Sequence, residues 1–143
     1  MITIVDYGMG NLGSLENMIK RVGGTVEFSN DPSVIAQAKQ LILPGVGHFD
    51  QAMERLNQLG LVDSLTESVR IRKVPILCIC LGAQLATESS EEGECPGLGW
   101  IRGKTVRFNL PEEYKIPHMG WNDVVIKKES GIFSNIPDFL INI

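Results

Sequence analysis

The chain has 143 residues, a length that predicts one domain with a sizeable hydrophobic core. Its formal net charge is −4 and it contains no basic cluster, so the composition argues against a nucleic-acid partner. No apolar run approaches the roughly 20 residues that span a bilayer, and the N-terminus MITIVDYG lacks the basic and long apolar regions of a secretory signal. We therefore expect no membrane partner and a cytoplasmic location.

Strands and helices alternate along the first part of the chain. Residues 2–6 form a short β-branched run that predicts a strand, and the apolar spacing over residues 11–22 predicts a helix that ends at two glycines. Residues 25–28 predict a second strand. Asp31 and Pro32 then predict the start of a short helix, because proline is favoured at a first helical position.

The alternation continues through the middle of the chain. The predicted elements are a strand at residues 40–43, helices at 50–59 and 61–72, a strand at 74–79 and the start of a helix at 81–87. After about residue 95 the pattern changes, and the segments GLGW, KTVRF and NDVVIKK predict short strands or hairpins.

These elements predict an α/β fold with a doubly wound, mostly parallel sheet and helices on both faces. The strands are apolar runs, as expected when both faces of a sheet are buried. Ligands of such sheets bind beyond the carboxyl ends of the strands. Three loops leave those ends, DYGMGN, PGVGHFD and CLGAQ, and there we expect the chemistry.

The three cysteines are Cys78, Cys80 and Cys95. Their number is odd and two of them lie on one element, so they do not predict a disulfide framework. The C-x-C spacing is a poor start for a zinc site, and the only histidines are His48 and His118. We expect neither a metal nor a cofactor.

Cys80 is a candidate nucleophile, because it follows a predicted buried strand and precedes a predicted helix, with Gly82 two residues later. A nucleophile on such a turn is exposed at the top of the sheet, and the N–H of the next residue, Leu81, can donate to an oxyanion. The alternative is that Cys80 is a small core residue. Cys78 lies inside the strand and is expected to be buried and inert.

Two glycine-rich loops accompany this turn. PGVG, residues 44–47, can bring backbone N–H groups close to a ligand and supply a second oxyanion donor, or it can be no more than a tight turn. The same two interpretations apply to DYGMGN. That segment is not G-x-G-x-x-G and predicts no dinucleotide site.

The histidines and the acidic stretch have several interpretations. His48, oriented by Asp50, is a possible base for Cys80, and His118 is a weaker candidate. Met119 and Trp121 beside His118 suggest either a contact surface or a capped edge of the core. The acidic residues 88–94 predict a solvated loop.

Taken in order, these motifs resemble those of the class I, triad-type glutamine amidotransferases, and more closely the glutaminase subunits of imidazole glycerol phosphate synthases. The resemblance runs from residue 2 to about residue 122. It rests on DYGMGNLGS (6–14), LPGVGHF (43–49), CLGAQL (80–85), ESSEEGECPGLGW (88–100) and PHMGWN (117–122).

The resemblance implies that Cys80 attacks the carboxamide of glutamine, forms a γ-glutamyl thioester and releases ammonia. The oxyanion would be held at Val46, Gly47 and Leu81. The residues implied to bind glutamine are Gly45, Gln84 and Glu92, which assigns Glu92 to the ligand rather than to solvent.

The resemblance also implies a protein partner, a barrel-shaped cyclase subunit that forms a heterodimer with this chain. Ammonia would pass to it through a protected channel for the synthesis of imidazole glycerol phosphate in histidine biosynthesis. The residues implied to face the partner are Tyr7, Met9, Asn11, His118, Met119, Trp121 and Asn122.

Two departures from the family pattern stand out. Cys78 replaces the usual glycine of the turn, and the His-Pro-Glu segment that completes the triad is absent from these 143 residues. We therefore expect residues 1–143 to form a single amidotransferase domain that lacks the family's C-terminal segment and is weakly active or inactive. The alternatives are an amidotransferase subunit of another pathway, such as amidination of a surface sugar, and a catalytically inactive binding or scaffold protein.

Overall fold

The computed structural model describes residues 1–111, 113–116, 126 and 131. The chain divides into two units, Met1–Arg107 and Phe108–Ile143, and all the helices and strands reported below lie in the first. The segment NDVVIKK, apart from Ile126, and the predicted contact residues His118, Met119, Trp121 and Asn122 lie outside the described residues. The single domain over residues 1–143 stays a prediction. Within the described part of the chain, no helix is long and apolar enough to cross a membrane.

Four parallel strands form the main sheet. They are β1 (Ile2–Val5), β2 (Val26–Ser29), β3 (Leu41–Leu43) and β4 (Ile76–Cys78), in the order β2-β1-β3-β4. Thr3 pairs with Leu41, and Leu43 pairs with Cys78. Because β2 and β3 lie on opposite sides of β1, the winding reverses between β1 and β3, and a crevice is expected at the carboxyl ends of these two strands.

The helices begin where the sequence predicts. They are α1 (Leu12–Arg21), α2 (Pro32–Gln37), α3 (Phe49–Gln58), α4 (Leu61–Thr66), which runs on into a π-helical turn (Glu67–Ile71), and α5 (Leu81–Leu85). The side chain of Asn11 accepts a hydrogen bond from the N–H of Ser14, and that of Asp31 accepts one from Ser33. These bonds satisfy amides that have no partner inside the helix.

The core lies on both faces of the sheet. Ile4 and Ile42 pack with Ile19 of α1 on one face. Val5 and Leu43 belong to a larger cluster on the other face, to which α2, α3, α4 and α5 contribute. Successive residues of a strand point to opposite faces, so two neighbouring apolar residues in one strand need helices on both sides. The predicted fold class is confirmed.

The structure corrects the prediction for residues 81–87. Helix α5 ends at Leu85, and the chain turns into a fifth strand, β5 (Thr87–Ser90), so part of the acidic stretch is strand rather than loop. The carbonyl of Leu85 accepts from the N–H of Leu98, and that of Ala86 accepts from Trp100. Distant amides therefore occupy the carbonyls that a longer helix would use.

Strand β5 pairs in parallel with β6 (Ile101–Thr105), forming a second, two-stranded sheet. Of the segments predicted to form short strands or hairpins, KTVRF overlaps β6 at Lys104 and Thr105, whereas GLGW (97–100) lies before this strand. Residues 91–100 connect β5 to β6 and pass the carboxyl end of α5. This connection carries Glu92 and Cys95 and forms one side of the candidate site.

Candidate active site

Cys80 occupies a tight turn between β4 and α5. Its backbone has φ 53° and ψ −115°, a left-handed conformation that residues other than glycine rarely adopt. The N–H of Ile79 donates to the carbonyl of Leu43 at 3.0 Å, and the N–H of Gly82 donates to Ile79 at 2.9 Å. The residue is exposed, so the alternative of a small core cysteine is wrong.

Two glycines allow the chain to pack closely around this turn. A Cβ atom at Gly82 would collide with the carbonyl oxygen of Leu43, so α5 sits directly on the end of β3. A Cβ atom at Gly45 would lie 2.8 Å from both the Gly82 nitrogen and the Leu81 Cβ. The PGVG loop therefore packs against the turn that carries Cys80, and it is more than a connection between β3 and α3.

The residues expected to hold an oxyanion lie in these two segments. Leu81 is the first residue of α5, a position whose N–H has no acceptor within the helix. Gly47 has φ +105°, which favours glycine, and Val46 beside it is 55% exposed. Backbone amides from the end of β3 and from the start of α5 thus border one region, as an oxyanion site requires.

Tyr7 has a different position from the one predicted. Its side chain is fully buried, and its hydroxyl donates to the carbonyl of Pro44 at 2.6 Å. Burial raises the pKa of this hydroxyl, with a smaller contribution from the nearby Cys80. Through this hydrogen bond the Tyr7 side chain supports the PGVG loop, and it is too buried to contact a partner. The sequence signal for this buried position is an aromatic residue that lies two positions after the buried strand β1.

Gln84 and Glu92 are joined through Ser90, which the sequence did not single out. Ser90 is 5% exposed, and its hydroxyl donates to Oε1 of Gln84 at 3.3 Å. The same hydroxyl accepts the N–H of Glu92 at 3.1 Å. Gln84 is half-buried and Glu92 is exposed, so each has access to a ligand at the surface.

Asp50 does not orient His48. One carboxylate oxygen accepts from the Glu94 N–H at 3.0 Å, from the Cys95 N–H at 3.1 Å and from the Cys95 thiol at 2.9 Å. These hydrogen bonds, led by that of the thiol, hold the pKa of Asp50 below its usual value. His48 is exposed at the start of α3 and makes no side-chain capping bond there. No hydrogen bond joins His48 to Asp50 in the described part of the chain, although the nearby His48 also lowers the pKa of Asp50 by a smaller amount.

Cys78 is half-buried rather than buried, because β4 is an outer strand of the sheet within the described residues. Burial raises the pKa of its thiol to about 11, which keeps it neutral and unreactive at neutral pH. It lines a cavity of about 570 Å³ together with Arg70, Lys73 and Trp100. Cys80 does not line this cavity, which is thus separate from the candidate site.

Met9 and Asn11 are the described members of the predicted contact surface besides Tyr7. Met9 is half-buried, and its methyl group lies 2.9 Å from where a Cβ of Gly47 would be. Asn11 is exposed, but its side-chain oxygen caps α1. Met9 therefore borders the PGVG loop, whereas Asn11 lies at the start of α1.

This arrangement has the parts needed for nucleophilic attack on a carbonyl group. The exposed Cys80 can form a covalent bond, and backbone amides beside it can stabilise the negative charge on oxygen. Gln84 and Glu92 offer an amide and a carboxylate for a polar substrate.

Comparison with known proteins gives the family. A family model described as glutamine amidotransferase class-I matches residues 3–142. That range covers nearly all of the chain and includes Cys80, the PGVG loop and the connection that carries Glu92.

Curated relatives agree with this match. The chain is 52% identical over 136 residues to imidazole glycerol phosphate synthase subunit HisH 2 of Methanococcus maripaludis, covering 95% of the chain and 67% of the relative. It is 50% identical over 136 residues to the subunit of the same name from Pseudomonas aeruginosa, with the same two coverages. Over 139 residues it is 46% identical to subunit HisH of Bdellovibrio bacteriovorus, covering 95% of the chain and 68% of the relative. The chain thus spans about two thirds of the length of these relatives.

Proposed function

Since the chain belongs to the class I glutamine amidotransferase family, we propose that it acts in a glutaminase subunit of imidazole glycerol phosphate synthase. In this role it hydrolyses glutamine and supplies ammonia to a cyclase partner in histidine biosynthesis. The observation that carries the proposal is the exposed Cys80, held in a left-handed turn against the PGVG loop.

Cys80 is the proposed nucleophile. Its thiolate attacks the carboxamide carbon of glutamine, and the carbonyl electrons move onto oxygen, where the amides of Val46, Gly47 and Leu81 donate. The intermediate then collapses and the C–N bond breaks. The nitrogen takes up a proton and leaves as ammonia, which gives a γ-glutamyl thioester. Water then hydrolyses the thioester to glutamate and restores the thiol.

Glutamine hydrolysis by this mechanism requires two proton transfers. The thiol must lose a proton and the leaving nitrogen must gain one, and a positioned acid–base group typically accelerates such steps by about 10²- to 10⁴-fold. The His-Pro-Glu segment that the family uses for this purpose does not occur in these 143 residues. Covalent bond formation with a reactive glutamine analogue needs no such group, so it tests the Cys80 site directly.

Gly45, Gln84 and Glu92 are the proposed contacts for glutamine. Gly45 lies within the PGVG loop beside the Cys80 turn, so a substrate amide at Cys80 would lie against its backbone. The exposed carboxylate of Glu92 suits the α-ammonium group of the substrate. The amide nitrogen of Gln84 suits its α-carboxylate.

The proposed partner surface contains Met9 and Asn11 of the DYGMGN loop and, from the sequence alone, His118, Met119, Trp121 and Asn122. The relatives are named as subunits of a synthase, which supports a heterodimer with a second subunit. Tyr7 is left out of this surface because it is buried. Ammonia would leave the site toward the partner without entering bulk solvent.

Alkylation of the full chain by a glutamine chloroketone, L-2-amino-4-oxo-5-chloropentanoate, tests the proposal. The thiolate displaces chloride and forms a thioether, so the reaction needs no further base. Peptide mass spectrometry should locate the label on Cys80, with a rate that saturates with reagent concentration and falls in the presence of L-glutamine. D-glutamine should not protect, and Cys80→Ser should remain unlabelled.

The opposite results would overturn the proposal. Labelling spread over Cys78 and Cys95, or a rate that rises linearly with reagent and ignores L-glutamine, would mean that no glutamine site exists beside Cys80. Iodoacetamide, which carries no amino acid group, provides the reference for general thiol reactivity.

A further inference from the structure

The first half of the connection between β5 and β6 is held at two points by side chains outside it. At its start, the Ser90 hydroxyl accepts the N–H of Glu92. At its middle, the Asp50 carboxylate accepts the N–H groups of Glu94 and Cys95. Glu92, one of the proposed glutamine contacts, lies between these two anchors.

Ser90 also determines how a second proposed contact is oriented. A serine hydroxyl has one hydrogen to donate, and a buried hydroxyl left without an acceptor is costly. Ser90 is 5% exposed, and its oxygen already accepts from Glu92, so its hydrogen requires an acceptor nearby. Oε1 of Gln84, at 3.3 Å, is that acceptor.

The orientation of the Gln84 amide follows from this bond. If Oε1 faces Ser90, the Nε2 group points to the other side of the amide and offers its two N–H donors there. Donors suit the α-carboxylate of an amino acid, whereas a flipped amide would present an acceptor and repel it. The Ser90 hydroxyl thus determines which way the Gln84 amide faces and where the Glu92 backbone lies.

We propose that Ser90 is a positioning residue for glutamine, which orients the Gln84 amide and places the Glu92 backbone through a single hydroxyl group. This inference rests on the proposed function, because it assumes that glutamine binds beside Cys80. Ser90 itself touches no substrate atom. Its removal therefore affects binding of the glutamine analogue and leaves the intrinsic reactivity of Cys80 unchanged.

Saturation kinetics of chloroketone alkylation on the full chain test this role. In Ser90→Ala, the concentration giving half the maximal rate should rise about tenfold, as expected for the loss of hydrogen bonds that serve a charged ligand. The maximal rate and the iodoacetamide rate at Cys80 should stay within about twofold, because Asp50 still holds the connection at Glu94 and Cys95. Ser90→Thr keeps the hydroxyl and should restore most of the affinity.

Ser89→Ala is the matched control. Ser89 is the neighbouring residue in β5 and is half-buried, and its backbone carbonyl accepts a hydrogen bond from the Thr87 hydroxyl. Its replacement should leave the half-saturating concentration unchanged. An equal rise in Ser89→Ala and Ser90→Ala would assign the effect to the strand as a whole and overturn the proposal.

Gln84→Glu provides a test that does not depend on the folding of Ser90→Ala. Glutamate still accepts from Ser90 but offers a carboxylate oxygen where glutamine offers Nε2, so the chloroketone should bind at least tenfold more weakly. Unchanged affinity in a folded Ser90→Ala overturns the inference alone. Unchanged affinity in Gln84→Glu removes Gln84 from the proposed glutamine contacts and overturns the inference as well. Wild-type labelling that does not saturate overturns the proposed function, and the inference with it.

Discussion

The backbone of Cys80 is the most unusual feature at the scale of single residues. A φ of 53° with ψ −115° is a conformation that costs a residue with a Cβ atom about 1–3 kcal/mol. The cost is tolerated because β3 and α5 fix both sides of the turn, through the Leu43 carbonyl and the close approach of Gly82. The result is an exposed thiol at the end of the sheet.

Replacement of Cys80 should reveal this strain. Cys80→Gly is expected to be about 1 kcal/mol more stable to unfolding than Cys80→Ala, since glycine relieves the strain by more than it adds to the entropy of the unfolded chain. Urea denaturation of the two variants measures the difference. At Cys78, in an ordinary strand, glycine should instead be less stable than alanine by about 0.5–1 kcal/mol. Equal stabilities at position 80 would contradict the strained conformation.

Single residues also mark the limit of what the sequence predicts. The sequence predicts Cys80 as a nucleophile because the buried strand, Cys80 and Gly82 follow one another closely along the chain. Ser90 was not found, because a serine in an acidic stretch carries no local sign of burial, yet it is 5% exposed and binds two other residues. Its role depends on α5 lying beside β5.

At the scale of elements, the contact between α3 and the connection from β5 to β6 shapes the site. Asp50 lies in the first turn of α3, and its carboxylate accepts from Glu94 and Cys95. A Cβ atom at Gly93 would collide with the same carboxylate, so the backbone approaches it closely. The pKa of the Cys95 thiol is raised to about 11, by burial first and by its hydrogen bond to Asp50 second.

This anchor should weaken in acid. The pKa of Asp50 is lowered in the folded protein, so its stabilising contribution is present above the ordinary value of 3.8 and is lost as the pH falls through the lower folded value. Amide hydrogen exchange, corrected for its intrinsic pH dependence, should show less protection of the Glu94 and Cys95 amides at such pH. Asp50→Asn should lower this protection already at neutral pH.

Asp31→Asn is the control for the acid effect. Asp31 also has a lowered pKa, because Ser33 donates to it, but it caps α2 and does not contact the connection. Its replacement should leave the protection of the Glu94 and Cys95 amides at the wild-type level. Wild-type protection in Asp50→Asn would show that the anchor does not hold the connection.

At the scale of the whole molecule, the strand order decides which surfaces are available. β1 and β3 are central, and β2 and β4 are the outer strands of the sheet among the described residues. Leu77 of β4 is 55% exposed, an apolar side chain on an outer strand. Outer strands with exposed apolar residues are sites where chains associate.

Leu77→Thr should therefore reduce self-association of the chain without a large change in stability, because threonine is favoured in strands and the position is exposed. Sedimentation velocity over a concentration series measures the oligomeric fraction. Phe28→Thr is the comparison on the other outer strand, and its effect should be smaller because Phe28 is 38% exposed and Leu77 is 55% exposed. A similar decrease in both variants would mean that β4 is not the preferred contact.

The sequence by itself determined the type and the approximate limits of most elements of the main sheet, because apolar periodicity, capping residues and glycines act over a few neighbouring positions. The sequence also indicated Cys80 and the PGVG loop as candidate site residues, and its motifs indicated the family. Only the tertiary structure decided the burial of Tyr7, the partner of Asp50 and the parallel pairing of β5 with β6. Asp50 and Cys95 are 45 positions apart, and Tyr7 and Pro44 are 37 apart. Such contacts depend on how strands order in the sheet, which no local pattern encodes.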